Sequence, residues 1–243
     1  MPKLLATLLL ITLSQASCNV ESTSEGAAAA PKDKSTTLIT QAKAVHASAL
    51  TIDAHADIEI PGKPSMYVGA DGLSRVSPAK MHAGGLDAVV MSLAVGPMPR
   101  NPTGYAAAKA LAQTKLAAVD ALANDPVNNA IIVQTTEELQ TAQTEGKAAL
   151  ILGFQNALIL GTNTTGIDEL YDSGVRVFAL THMGHNNFAD SSRTLFDGDT
   201  GTREPESEHG GLSVLGRSAI SKINVLGGVV DISQLSTQAA LQA

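Results

Sequence analysis

The chain has 243 residues, of which 44% are hydrophobic and 16% are charged, and its formal net charge is −7. This length allows one sizeable domain, and the composition is typical of a globular protein rather than of a disordered or collagen-like chain. The sequence has no cluster of Lys and Arg, so it predicts no nucleic-acid partner and no polybasic contact with a membrane.

The first residues differ from the rest of the chain. Lys3 precedes a short apolar run over 4–13, and small residues follow it. This pattern predicts a secretory signal peptide over 1–17, because the run is too short to span a bilayer. The protein is therefore expected to be exported.

Cys18 is the only cysteine of the sequence, and it follows those small residues. This arrangement resembles a bacterial lipoprotein signal with Cys18 as the lipidation site, and the acyl chain would then be the contact with the membrane. Gln15 stands where such signals usually carry an aliphatic residue, and Ala16 could serve an ordinary signal peptidase. The expected location is periplasmic in one case and membrane-anchored in the other. A single cysteine excludes an intramolecular disulfide and a Cys-based zinc cluster.

The segment 18–37 is rich in Ser, Thr, Ala, Glu and Lys and shows no apolar period, so it is predicted to be a flexible tether. The domain is expected over 38–243. Strands are predicted at 49–55, 85–95, 148–154, 175–181 and 229–233.

Helices are predicted between these strands. The first has an apolar face from Tyr105 to Ala123, and the second has a capping box of Thr135 and Glu138. The later helices are expected at 167–173 and after Ser213. Uninterrupted apolar strands separated by helices indicate a parallel sheet covered by helices. About five strands would complete a doubly wound sheet but not an eight-stranded barrel.

Polar residues follow four of the strands, at the end where a barrel enzyme builds its site. His55 and Asp57 are two positions apart and are expected to converge, with Asp53 behind them, as a pair of ligands for a divalent ion. Gln155 and Asn156 end the third predicted strand, and two further groups follow at Thr181–Asn186 and Asp231–Gln234. Any one of these polar groups could simply end a strand without a functional role. Four of them at the same end of the strands predict a functional site.

Four segments resemble the membrane dipeptidase (renal dipeptidase, peptidase M19) family of the amidohydrolase-like superfamily. They are Ile52–Asp57, Val175–His182, His209–Ser213 and Leu226–Ser233, in the order in which the family has them. The resemblance implies an α/β fold, a (β/α)8 TIM barrel of the metal-dependent hydrolase type. It also implies two zinc ions and the hydrolysis of dipeptides.

The resemblance also implies roles for single residues. His55 and Asp57 match ligands of the first zinc, and His182 matches the histidine that contacts substrate and polarises the scissile carbonyl. Gln155 stands in place of the glutamate that bridges both metals, and Gln234 in place of a histidine ligand of the second zinc. Because a neutral amide is a poor ligand, one zinc ion is expected rather than two.

Two functions from different classes remain open at this point. The leading hypothesis is an exported metallodipeptidase acting on dipeptides through metal-activated water, and the alternative is a non-catalytic lipoprotein that keeps the scaffold as a binding module. A different amidase or esterase reaction on the same barrel, and a homodimer such as relatives tend to form, also stay open. The chain ends after about five strands, so the barrel is expected to be truncated here.

Overall fold

The computed structural model describes residues 34–198 and 200–243. The predicted signal peptide, Cys18 and most of the predicted tether lie outside the described residues. Two compact units divide the chain, 1–42 and 43–243, and only 34–42 of the first unit is described. None of the described helices has the length and the hydropathy that crossing a bilayer would require.

Six parallel strands form the main sheet, in the order β1-β2-β4-β5-β8, with β3 paired to β4. The strands are β1 (Ile52–Asp57), β2 (Ala88–Ala94), β3 (Ala130–Ile132), β4 (Ala148–Gln155), β5 (Val175–Ala179) and β8 (Val229–Asp231). A short antiparallel hairpin, β6 (Phe196–Asp197) and β7 (Thr202–Arg203), stands apart. The sheet curls into a parallel half-barrel, which confirms the predicted fold class.

The helices are α1 (Lys34–Ser48), α2 (Pro78–Gly84), α3 (Pro102–Asn124), α4 (Thr136–Thr144), α5 (Gly166–Asp172), α6 (Val214–Leu226) and α7 (Thr237–Gln242). Short 3-10 helices follow α3 at Pro126–Asn128 and β4 at Ala157–Leu160. Helix α1 begins four residues before the predicted domain boundary at 38.

Local signals explain where these helices begin and end. The capping box of Thr135 and Glu138 is present, and Gly146 follows α4 in the left-handed region at φ 65°. The side chain of Ser213 accepts a hydrogen bond from the backbone of Gly216 at 3.0 Å, and a Cβ on Gly216 would lie 2.0 Å from the Phe188 carbonyl. Thr135, Glu138, Gly146 and Ser213 were predicted from the sequence, and the structure confirms the caps at Thr135 and Ser213.

Several elements were missed, among them α1, α2, β3 and the hairpin of β6 and β7. Helix α1 is exposed along its described length, so its apolar residues form no buried face that would reveal it. Helix α2 is only seven residues long. Strand β3 has three residues and pairs with the first half of β4, whereas β5 pairs with the second half. The sheet therefore has six strands rather than the five that were expected.

The core lies between one face of the sheet and the helices that cover it. Phe154 and Phe178 are fully buried there, with their ring centroids 5.9 Å apart. Strand β2 is buried along its whole length, as expected for a strand covered on both faces. This packing fixes the strand register and therefore the side chains that end each strand.

Candidate active site

Strand β1 carries His55 and Asp57 to the carboxyl edge of the sheet. The pairing of β1 with β2 shifts register between Asp53 and Ala56, which marks a β-bulge. The Asp53 carboxylate accepts a hydrogen bond from the backbone N–H of His55 at 3.1 Å within this bulge. Asp53, His55 and Asp57 line the same cleft of about 290 Å³. The bulge rather than simple alternation therefore sets where His55 lies.

Gln155 is the last residue of β4 and is buried, opposite Ala94 of β2 and Ala179 of β5. Its Oε1 atom is buried and has no hydrogen-bond partner among the described residues. The same holds for Oε1 of Gln234, which follows β8 in the left-handed region at φ 63°. Two amide oxygens at predicted metal positions thus lack a donor, which is costly unless a cation or a donor meets them.

His182 follows β5, and its Nδ1 atom is also buried without a hydrogen-bond partner among the described residues. Burial is the main cause that lowers the pKa of His182 below 6.5, and nearby Asp57 opposes it. The cations Arg193 and Lys115, and the His55 imidazole, lower the pKa further. The lowered pKa favours the neutral imidazole of His182, and Asp57 and His55 are near enough to influence that pKa.

Lys115 and Tyr67 lie beside Asp57, and the sequence analysis selected neither of them. The Nζ atom of Lys115 lies 3.9 Å from Oδ1 of Asp57, and a hydrogen bond to Asp57 is the main cause that raises the pKa of Tyr67. Burial lowers the pKa of Lys115, while Asp57 and then Glu59 oppose that shift. The signal for Lys115 was in the sequence, because it interrupts the apolar face of α3.

The polar residues after His182 hold the loop together instead of facing a ligand. His185 Nδ1 accepts a hydrogen bond from the backbone of Ser191 at 3.0 Å, so its Nε2 donates to the Pro205 carbonyl at 2.8 Å. Asn186 is buried and bonds to the Leu180 carbonyl at 2.7 Å. These two residues are structural, although the sequence placed them in the polar strand end.

Among residues 34–198 and 200–243, no three His, Cys, Asp or Glu side chains come together in a way that could hold a metal ion. His55 and Asp57 are the predicted ligands at this edge, and the amide oxygens of Gln155 and Gln234 are neutral donors at the ends of β4 and β8. An imidazole, a carboxylate and neutral oxygens can complete one coordination shell with water or substrate, but they bring only one negative charge.

Comparison with known families identifies the family of the chain. The sequence model of the membrane dipeptidase family (peptidase family M19) matches residues 39–243. The chain belongs to the membrane dipeptidase family. The matched range includes every predicted site residue except Cys18.

Individual membrane dipeptidase relatives agree with this assignment. Dipeptidase aclJ of Aspergillus oryzae is 32% identical over 98 residues, which cover 40% of this chain and 21% of that protein. The structure of the probable dipeptidase PvdM from Pseudomonas aeruginosa superposes with a TM-score of 0.73 and 27% identity, covering 84% of this chain and 51% of that one. The structure of dipeptidase AC, an M19 metallopeptidase, shares the fold with a TM-score of 0.63 and 16% identity. The match covers 79% of this chain and 58% of dipeptidase AC.

The chain therefore spans about half of the PvdM and dipeptidase AC structures, and the aligned part spans about a fifth of dipeptidase aclJ. The half-barrel seen here corresponds to the matching part of their (β/α)8 barrel.

Proposed function

We propose that the protein is an exported metal-dependent dipeptidase that holds one zinc ion at His55 and Asp57. The observation that carries the proposal is that His55 and Asp57 line one cleft at the carboxyl edge of a membrane dipeptidase sheet, where β4, β5 and β8 also end at or shortly before Gln155, His182 and Gln234. Three of the five have a buried polar atom without a hydrogen-bond partner among the described residues, which supports a site that a cation and a substrate complete.

The zinc ion, when bound, supplies activation of water and polarisation of the scissile carbonyl. His55 would hold it through an imidazole nitrogen and Asp57 through a carboxylate oxygen. Gln155 offers a single neutral oxygen where a bridging carboxylate would offer two charged ones, and Gln234 offers another neutral oxygen. Two divalent cations would repel each other across such a site with little negative charge between them, so one ion is proposed.

His182 is proposed to hold the scissile carbonyl oxygen of a dipeptide. Its imidazole is neutral because burial lowers the pKa of the group, and Nδ1 has no hydrogen-bond partner in the described part of the chain. A neutral imidazole with a free ring nitrogen can donate one hydrogen bond to an oxygen on which negative charge develops. His182 thus orients the carbonyl without adding a second full charge beside Lys115.

A non-catalytic binding protein is the second candidate, and the two glutamines favour it. Without a bridging carboxylate and a second imidazole, the site keeps the polar groups that recognise a small ligand but has weaker support for activating water. The same dipeptide class of ligand would be bound, and it would not be cleaved.

The proposed location follows from the N-terminal sequence alone. A signal peptide over 1–17 would export the chain, and acylation of Cys18 would retain it at the membrane.

Hydrolysis of a panel of dipeptides by the zinc-loaded protein tests the function. The unaltered protein should cleave, and His182→Ala should keep its zinc while kcat/KM falls about 100-fold, the effect of losing one oxyanion donor. His55→Ala should lose both zinc and activity. Stoichiometric dipeptide binding without cleavage would support the binding protein instead, and cleavage that persists in His55→Ala would disprove the proposed centre.

A further inference from the structure

Lys115 lies on the buried face of helix α3. The buried residues of this helix are Gly104, Ala108, Ala112 and Val119, at steps of four and seven, and Lys115 falls in the gap between the last two. Only 12% of the Lys115 side chain is exposed. A lysine at the centre of such a face is unusual, since burying an ammonium is costly unless it is paired.

The partner that Lys115 reaches is a predicted metal ligand. Its Nζ atom lies 3.9 Å from Oδ1 of Asp57, whose side chain is 26% exposed. A zinc ion and the Lys115 ammonium would compete for this carboxylate, so each lowers the affinity of the site for the other. A cation that binds at His55 and Asp57 must therefore displace Lys115 or bind weakly beside it.

Glu59 offers the displaced ammonium a second position. It lies two residues after Asp57, and both of its carboxylate oxygens are buried without a hydrogen-bond partner among the described residues. Glu59 lines one cleft with Ala118 and Val119, which lie on α3 in the turn after Lys115. Burial lowers the pKa of Lys115, and Asp57 and then Glu59 oppose that shift. A buried carboxylate with no donor is costly, and an approaching ammonium would relieve that cost.

We propose that Lys115 is a displaceable counter-ion, which pairs with Asp57 and moves to Glu59 when a divalent cation binds at His55 and Asp57. The inference rests on the proposed metal centre and adds the residue that controls its occupancy. Without metal, Lys115 pairs with Asp57 and the Glu59 carboxylate has no hydrogen-bond partner among the described residues. With a divalent cation at Asp57 and the ammonium at Glu59, each carboxylate has a cationic partner. The site would thus gain a metal without leaving a buried lysine unpaired.

Zinc affinity, measured by competition with a chromophoric chelator, tests this without reference to activity. Lys115→Met keeps the length and removes the charge, so zinc should bind about tenfold more tightly than in the unaltered protein. Glu59→Gln removes the second position, so zinc should bind severalfold more weakly. Lys109→Met is the matched control, since Lys109 lies on the same helix and pairs with Glu169 at 2.8 Å. It should leave the affinity unchanged.

The double variant decides between a counter-ion and a simpler role for Glu59. If Glu59 acts only through Lys115, adding Glu59→Gln to Lys115→Met should change the affinity no further. A further loss would show that Glu59 itself ligates the metal and would overturn the proposal, as would equal affinities for the unaltered protein and Lys115→Met.

His55→Ala separates the two hypotheses. If it binds zinc as tightly as the unaltered protein, the proposed metal centre fails. If it loses zinc while Lys115→Met and Glu59→Gln have no effect, only the counter-ion fails. Thermal melting of each variant verifies folding, and if Lys115→Met does not fold, Lys115→Gln replaces it alone and together with Glu59→Gln.

Discussion

The side-chain amide of Asn186 donates a 3.2 Å hydrogen bond to Oδ1 of Asn156, which joins the loop after β5 to the loop after β4. Asn156 also donates to the Val95 carbonyl at 3.1 Å, and Asn186 donates to the Leu180 carbonyl at 2.7 Å. Both asparagines are buried. This pair therefore links the ends of β2, β4 and β5, close in sequence to Gln155 and His182.

Replacing Asn186 with Ala should lower the free energy of unfolding by about 2–3 kcal/mol, because it leaves buried donors and acceptors without partners. Among these groups are the backbone N–H groups of Phe188 and Ala189, which donate to Asn186 Oδ1 at 2.9 and 3.2 Å. Denaturant unfolding measures the change. Asn124→Ala, at the exposed end of α3, is the control and should change stability by less than about 0.5 kcal/mol. Equal effects of the two substitutions would contradict the structural role of the pair.

Asp190 should make the fold sensitive to acid. Burial raises the pKa of Asp190, but the hydroxyl of Ser207 at 2.5 Å and three backbone N–H groups outweigh burial and lower the pKa from 3.8 to about 2. Because the folded protein favours the ionised form, this carboxylate stabilises the fold above about pH 4. That stabilisation, about 2 kcal/mol, should be lost as the pH falls from 3.8 towards 2.

Asp190→Asn isolates this contribution. The variant should be less stable than the unaltered protein by about 2 kcal/mol or more at pH 7, and the difference should shrink as the pH approaches 2. Unfolding curves across pH 2–7 give the comparison, with Asp120→Asn on the exposed side of α3 as the control. A difference that is constant across this range would show that ionisation of Asp190 does not contribute to stability.

Gln155→Glu together with Gln234→His should raise the zinc content from about one ion per chain towards two. The first change restores two charged oxygens between the metals, and the second restores a nitrogen ligand. Each single variant should gain less, because the second ion needs the bridge and the terminal ligand at once. Elemental analysis after dialysis measures the content. Two tightly held ions in the unaltered protein would show that neutral amides at these positions are no obstacle.

Cys18→Ser should move the mature protein from the detergent phase to the soluble periplasmic fraction if Cys18 carries the lipid. A variant with Ser17→Ala, which leaves the cysteine in place, should stay in the detergent phase. Phase partitioning of the expressed protein and mass analysis of its N-terminus provide the measurement. An unmodified mature N-terminus at Ser17 would disprove lipidation.

The elements with strong local signals could be predicted from the sequence. The capping box of α4, the Ser213 cap of α6 and the buried strands β2, β4 and β5 all depend on residues close together in the chain, so their patterns are visible there. The short elements α2 and β3 could not be predicted, because three to seven residues leave no measurable period and tertiary contacts hold them in place.

The sequence by itself determined the family, the fold class and the residue types at the site, since these depend on motifs read in order along the chain. Only the tertiary structure decided which of those residues have a buried polar atom without a hydrogen-bond partner among the described residues. The bulge at Asp53–Ala56 sets the position of His55, and the asparagines that looked like site residues hold loops together. Lys115 meets Asp57 although 58 positions separate them in the sequence. Such a contact arises from packing α3 on the sheet, and no local pattern of residues encodes the distance it produces.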